Sequence, residues 1–345
     1  MAFHQLVQRI LLIGAHVESL PPPPAPRPPV RLTPLIEAVA GAHKRFDARA
    51  IHFGHRYRSG FWAIYLLSAI AVLFAVMPLA LGWDSANHAL HPYAGVWAMG
   101  EVIIIGTVSA IYWLGHRRHW QGQWLHARTT AELSWYLPLV APLLDLEAAD
   151  GDANWYLRVF DPGQHLRGAD DVAVLCKDNE PLARRLLQDA WNDRTFIESY
   201  AAWATGILEQ QRHYHLRIAS RQHALQHRVH TVNIALFGLT ALGALMHLAV
   251  HSLWLSLVTT FFPALGASLH GALAQSEAYR LGSTSERLVH ELKTSIERIT
   301  AALGESLASA DVAPLKAAVE AAIALILEEH QDWHLLVRPH NLPLA

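Results

Sequence analysis

The 345-residue chain has one cysteine, Cys176, and only 16% of its residues are charged. A single cysteine excludes a disulfide framework and any multi-cysteine metal centre. Soluble domains carry about 25% charged residues, so this shortage argues against an ordinary soluble enzyme. The net charge of −2 gives no global attraction to nucleic acid. Common enzyme signatures are missing as well: there is no GxxxxGK phosphate loop, no GxGxxG, no GxSxG and no CxxC. Asp170–Asp171 and Asp145/Glu147 are paired carboxylates without a neighbouring nucleophile, and they read as solvated. The chain is therefore expected not to be an enzyme, and no cofactor or metal is implied.

What the chain has instead is long uncharged runs. Residues 59–83 hold no Asp, Glu, Lys or Arg. Residues 102–116 are also uncharged, and the apolar stretch reaches back to Tyr93 with only Glu101 interrupting it. Residues 229–276 form a third run of 48. A bilayer core needs about 20 apolar residues per helix, so the third run fits two spans with a tight turn near His251–Ser252. The expected fold is an all-α membrane protein: two transmembrane helical hairpins with long cytoplasmic helices. The spans fall at about 60–82, 94–116, 230–250 and 253–274.

Lys and Arg set the expected topology. All 27 lie in residues 1–58, 117–228 and 280–345, and both hairpin loops lack them. The positive-inside rule then puts both termini and the central region in the cytoplasm. Trp83, Tyr93, Trp97 and Trp254 fall near the outer boundary, and Trp62, Trp113 and Trp120 near the inner one. No signal peptide is apparent in residues 1–16, so the first span is expected to serve as the insertion signal.

Residues 1–34 read as a short N-terminal segment followed by a proline-rich tether. The run LPPPPAPRPPVRLTP (20–34) favours polyproline II, with a Pro-reading partner domain as the alternative use. Residues 35–147 make the first helix–hairpin–helix unit, with a helix over 34–58 and another from His119 that bends or ends near Pro138 and Pro142. Residues 148–192 form an insert, irregular over 148–180 because GDAN, DPGQ and CKDNEP are turn signals. Residues 193–301 make the second unit, whose first helix starts near Asp193 and enters span three unbroken. Residues 275–301 read as one helix. Residues 302–345 contain a final amphipathic helix over 313–334. A weak repeat relates the two units: Thr129–Glu132 matches Ser283–Glu286 at an offset of 154.

Glu101, Asn233 and His247 are the candidates for an ion path, with His270 a further intramembrane polar group. A carboxylate in hydrocarbon is costly and faces a bundle interior, a partner or a water path. A ring of Glu101 side chains in an oligomer would favour cations; otherwise Glu101 is protonated and only packs. Asn233, His247 and His270 also suit interhelical hydrogen bonds. Ala264, Ser268 and Ala272 form a small-residue face, with Gly266 and Gly271 nearby, allowing close helix approach within the chain or between subunits. Pro78 and Pro263 are expected to kink spans one and four. His223, His227 and His230 share a helix face, but without a cysteine or an HExxH motif they read as a solvated basic face.

Several segments resemble the bacterial SLATT family. These are RYRSGFW (56–62) entering span one, the acid in span two, RRHWQGQWLHARTTAELSWY (117–136), ILEQQRHYHLRIASRQHALQHRVH (207–230) and FPALGASLHGALAQSEAYRLGSTSERLVHEL (262–292). The likeness covers about residues 45–300. It implies a homo-oligomeric pore-forming or membrane-perturbing effector of anti-phage defence, acting on the lipid bilayer. In that family a SLOG domain commonly accompanies the spans. Here residues 1–34 stand in its place, so sensing is assigned to a cytosolic sensor or nucleotide-signalling partner. A membrane scaffold recruiting cytosolic partners, and a proton-coupled transporter using Glu101, are the alternative readings.

Overall fold

A computed structural model describes residues 1–15, 17, 21–144, 169–250 and 252–336. Among these the only regular elements are helices, with no strand. The helices are α1 (Phe3–Leu11), α2 (Thr33–Ala80), α3 (Ala94–Arg117), α4 (Trp120–Val140), α5 (Ala169–Leu187), α6 (Arg194–Ala249), α7 (Leu253–Gln275), α8 (Ala278–Ser309) and α9 (Ala313–Leu336). Four of them, α2, α3, α6 and α7, carry stretches long and apolar enough to cross a membrane. The protein is an all-α membrane protein.

The two longest helices join a span to a charged extramembrane stem. α2 opens with Pro34 in its first turn, where the missing N–H costs nothing. α6 opens on Asp193, whose carboxylate accepts from the Thr195 N–H at 2.9 Å. It then runs 56 residues with no proline to break it. Each hairpin returns through a shorter span, and each return ends on a left-handed residue: His119 (φ 47°) before α4 and Glu277 (φ 53°) before α8. Both breaks redirect the chain so that α4 packs back along α2 and α8 along α6. The repeat is visible in side chains. His43 Nδ1 of α2 meets the Ala131 carbonyl oxygen of α4 at 2.9 Å, and His215 Nδ1 of α6 meets Ser285 Oγ of α8 at 3.3 Å. Ala131 and Ser285 correspond in the 154-residue offset.

The spans form a row and not a bundle. α3 packs on α2, α2 on α7, and α7 on α6; other span pairs touch only marginally. Spans one and four are thus central, and spans two and three are edges. At the basic end, stems and caps share one apolar core. Leu35 and Val39 of α2, Leu137 of α4, Tyr200 of α6, Leu292 of α8 and Val319 of α9 belong to it. A second core lies at the membrane boundary around Trp62, Trp124, Leu225 and Leu273.

Several expectations change. The segment CKDNEP, read as a turn, lies inside α5, whose Pro181 is accommodated within the helix. Residues 148–168 lie outside the described residues, as do Asp145, Glu147 and His251. α8 starts at Ala278, not 275, and runs on to Ser309, so the boundary at 302 falls inside a helix and the break comes at left-handed Ala310. Pro78 sits two residues from the end of α2, in its last turn. Trp62, expected near the inner boundary, is fully buried and packs in the boundary core. The proline run packs against the stems. Pro23, Pro26 and Pro29 are less exposed than Pro21, Pro22 and Pro24, at the three-residue period of polyproline II. Pro26 lies so close to Gly206 of α6 that a Cβ there would stand 2.5 Å from its Cβ.

Candidate functional site

Glu101 lies two turns into α3, half-exposed, beside the stripe Trp97–Gly100–Ile104–Val108 that faces α2. Gly100 sets that contact: an added Cβ would stand 2.3 Å from the Phe74 ring. Glu101 therefore flanks the hairpin seam. No hydrogen bond or ion pair reaches it from the described residues. Asn233 is on α6 at the other edge of the row. Its Oδ1 is buried without a hydrogen-bond partner among the described residues, 3.3 Å from where a Cβ of Gly266 would stand. His247, near the end of α6, and His270 of α7 are exposed. The structure does not bring Glu101, Asn233 and His247 together within one chain.

The small-residue face of α7 is used within the chain. Ser268, Ala272 and Gly266 are buried, and Ala264 and Gly271 half-buried. Gly266 faces Asn233 and Phe237 of α6, while Gly271 faces Tyr65 of α2. These residues let α7 lie between α2 and α6 at short range.

The edges, by contrast, are bare. Val96, Met99, Val102 and Ile103 of α3 and Ile234, Phe237, Leu245 and Leu248 of α6 are all exposed apolar side chains. None of the most apolar window of α3 is buried. α1 adds another lipid-compatible face. It turns His4 and Leu11 toward α2 and α6 and exposes Phe3, Leu6 and Ile10 on the neighbouring flank, with Ile13 exposed just beyond its end. Such a helix, apolar outward and docked at the start of a span, suits the membrane interface. His4 Nδ1 lies 3.1 Å from Ser59 Oγ. Its burial, with Arg58, His55 and Arg221 nearby, pushes the imidazole pKa from 6.5 down to about 4.

A cavity of about 360 Å³ opens where the two repeat units face one another at the basic end. α2, α4 and α6 line it, and α6 keeps its backbone away from α2 there. Arg58 projects into it above Trp124, its guanidinium carbon 5.0 Å from the ring centroid. Gly54 makes room for that ring: a Cβ would stand 2.9 Å from the indole nitrogen. Arg128, one turn along α4 from Trp124, pairs with Glu132. Burial works against the Arg128 cation, but Glu132, Tyr214, Tyr136 and Asp47 more than offset it, and its pKa lies above the usual arginine value. Arg58 differs. Burial lowers its pKa, Arg128 and Arg221 lower it further, and Tyr214 and Tyr57 oppose. No carboxylate pairs with Arg58 among the described residues.

The histidine face of α6 is engaged in part by α8, where His223 Nε2 lies 2.9 Å from Glu286 Oε1. Among the described residues no three His, Cys, Asp or Glu groups are placed to hold a metal ion. The chain matches no protein-family model, no curated protein and no solved structure. Sequence reading passed over the cavity. The signal available was Arg58 as the last charge before an uncharged run, with Trp124 and Arg128 one turn apart on α4.

Proposed function

We propose that the protein is an oligomeric ion channel or membrane-disrupting effector of the bacterial inner membrane, with its basic stems in the cytoplasm. One observation carries the reading: Glu101, an ionisable group within a span, has no partner from the described residues of its own chain. A carboxylate at that depth calls for water or for a second protein surface. The row of spans supports the same reading. Four helices in a row enclose no lumen, and both edge helices expose apolar faces. Edge-to-edge association of α3 from one copy with α6 from the next is heterologous and closes into a ring when the rotation permits. Such a ring places one Glu101 per subunit on a common circle. The segments resembling the SLATT family support a role in anti-phage defence, triggered by a cytosolic partner and without catalysis by this chain.

Reconstitution into planar bilayers tests this. Wild type is expected to conduct, and Glu101→Gln to shift the reversal potential in a salt gradient away from cation preference at unchanged oligomer size. A native mass showing only monomer in lipid nanodiscs, or absent conductance from a folded oligomer, would remove the channel reading.

A further inference from the structure

We propose that the cavity between the two repeat units binds a phosphate group, with Arg58 as its main anion contact. The proposal does not depend on conduction. Arg58 is the last charged residue before the uncharged run 59–83, so the site lies at the basic edge of the membrane. A guanidinium there has no carboxylate to neutralise it among the described residues, although Arg128, a neighbour in the same cavity, has Glu132. The natural complement of an uncompensated guanidinium in a partly enclosed site is an oxyanion, which the planar fork can hold with two hydrogen bonds. The site is open enough for exchange, because Arg58, although walled in by the cavity lining, keeps part of its surface in solvent. Its volume lies within the range of small-molecule sites.

The rest of the lining fits a phosphate attached to a larger body. Trp124 lies under the guanidinium, within cation–π range. Tyr214 and Gln211 of α6 offer hydroxyl and amide donors from the opposite wall, and Trp135 offers a flat apolar surface. The surroundings add positive potential. Arg128 and Arg221 both act on Arg58, while Glu132 and Asp47 act on Arg128 and leave Arg58 without a carboxylate of its own among the described residues. Because α2 and α4 belong to the first unit and α6 to the second, a phosphate held at Arg58 and reached from α6 would tie the two units together.

Two sources supply this chemistry: the headgroup of an anionic phospholipid, and a soluble phosphate such as a nucleotide. Full-length protein in phosphatidylcholine nanodiscs would be titrated calorimetrically with inorganic phosphate, adenosine monophosphate and adenosine. In parallel, native mass spectrometry would count phosphatidylglycerol retained after exchange from mixed micelles. Saturable binding of phosphate or the nucleotide, but not adenosine, assigns a soluble ligand. Retention of phosphatidylglycerol over phosphatidylcholine, without soluble binding, assigns the lipid. In either case Arg58→Gln should weaken binding at least tenfold, and Arg58→Lys should weaken it less. Arg280→Gln, on exposed α8 at the same basic end, should leave binding unchanged. If wild type binds none of the probes, or if Arg280→Gln weakens binding as much as Arg58→Gln, the proposal is overturned. Should Arg58→Gln fail to fold, Arg58→Lys binding like wild type with adenosine as effective as its phosphate would overturn it equally.

Discussion

Gly271 of α7 stands so close to Tyr65 of α2 that a Cβ added at the glycine would lie 2.5 Å from the tyrosine Cε1. This contact joins the first hairpin to the second inside the apolar region. Gly271→Ala must displace the ring, and overpacking of this kind costs about 1–3 kcal/mol. Tyr65→Ala removes the obstacle. The double variant should therefore be more stable than the sum of the two single losses. Denaturation midpoints in detergent for the four proteins measure the coupling, and strict additivity would mean the hairpins meet elsewhere.

Docking of α1 should depend on pH. His4 is buried against Ser59, and Arg58, His55 and Arg221 all oppose its protonation. An undocked α1 has a histidine of ordinary pKa, 6.5, while the docked one is held near 4. As pH falls, the undocked form takes up its proton first. Docking is thus at full strength above pH 6.5, weakens below it, and loses about 2 kcal/mol by pH 5. Hydrogen exchange of the α1 amides at pH 7 and pH 5 reads this directly. His4→Leu should flatten the difference, and an equal pH response in that variant would assign the change to other groups.

The membrane helices were legible because hydrocarbon excludes charge. Residues 59–83 and 229–276 could adopt few other structures, and His119 and Asp193 mark real helix starts. Turn signals misled at CKDNEP, where propensity gave way to tertiary burial: Cys176 and Ala183 of that helix sit in the shared core. The row of spans was not legible, because hydropathy says which helices enter the membrane and nothing about which pairs touch. The seam glycines were readable as small residues, but their partners Phe74 and Tyr65 come from helices far away in sequence. The cavity was hidden for the same reason: Arg58, Trp124 and Tyr214 are brought together only when α4 folds back along α2 and α6 lies beside both.

The junction of the two stems should rest on Tyr200. Its hydroxyl donates to the Leu139 carbonyl oxygen at 2.7 Å, and the residue is fully buried. Leu139 lies in the last turn of α4, where carbonyls lack intrahelical partners. Burial raises the Tyr200 pKa well above its usual value, so the phenol stays a donor at neutral and moderately alkaline pH. Tyr200→Phe keeps the ring contacts with Trp191 and Phe196 but leaves a buried carbonyl unsatisfied. The expected loss is about 1–3 kcal/mol, seen as a lowered unfolding midpoint. A variant as stable as wild type would show that another donor reaches Leu139.

Topology can be tested with the protein's own cysteine content. Cys176 is fully buried in the stem core, and burial raises its thiol pKa, so it should ignore maleimides in the folded protein. A single introduced cysteine then reports alone. Asn87→Cys lies in the first hairpin loop, between α2 and α3, and is exposed. Glu305→Cys lies on the exposed side of α8. With intact inner-membrane vesicles of known orientation and a membrane-impermeant maleimide, the two positions should label from opposite sides. Position 87 should react from the periplasmic side, because its loop lacks Lys and Arg, which all lie in residues 1–58, 117–228 and 280–345. Labelling of both from one side would break the hairpin arrangement, since α2 would then not cross the membrane. Labelling from opposite sides in the reversed sense would keep the fold and invert the orientation, placing the basic stems and the Arg58 cavity outside the cell.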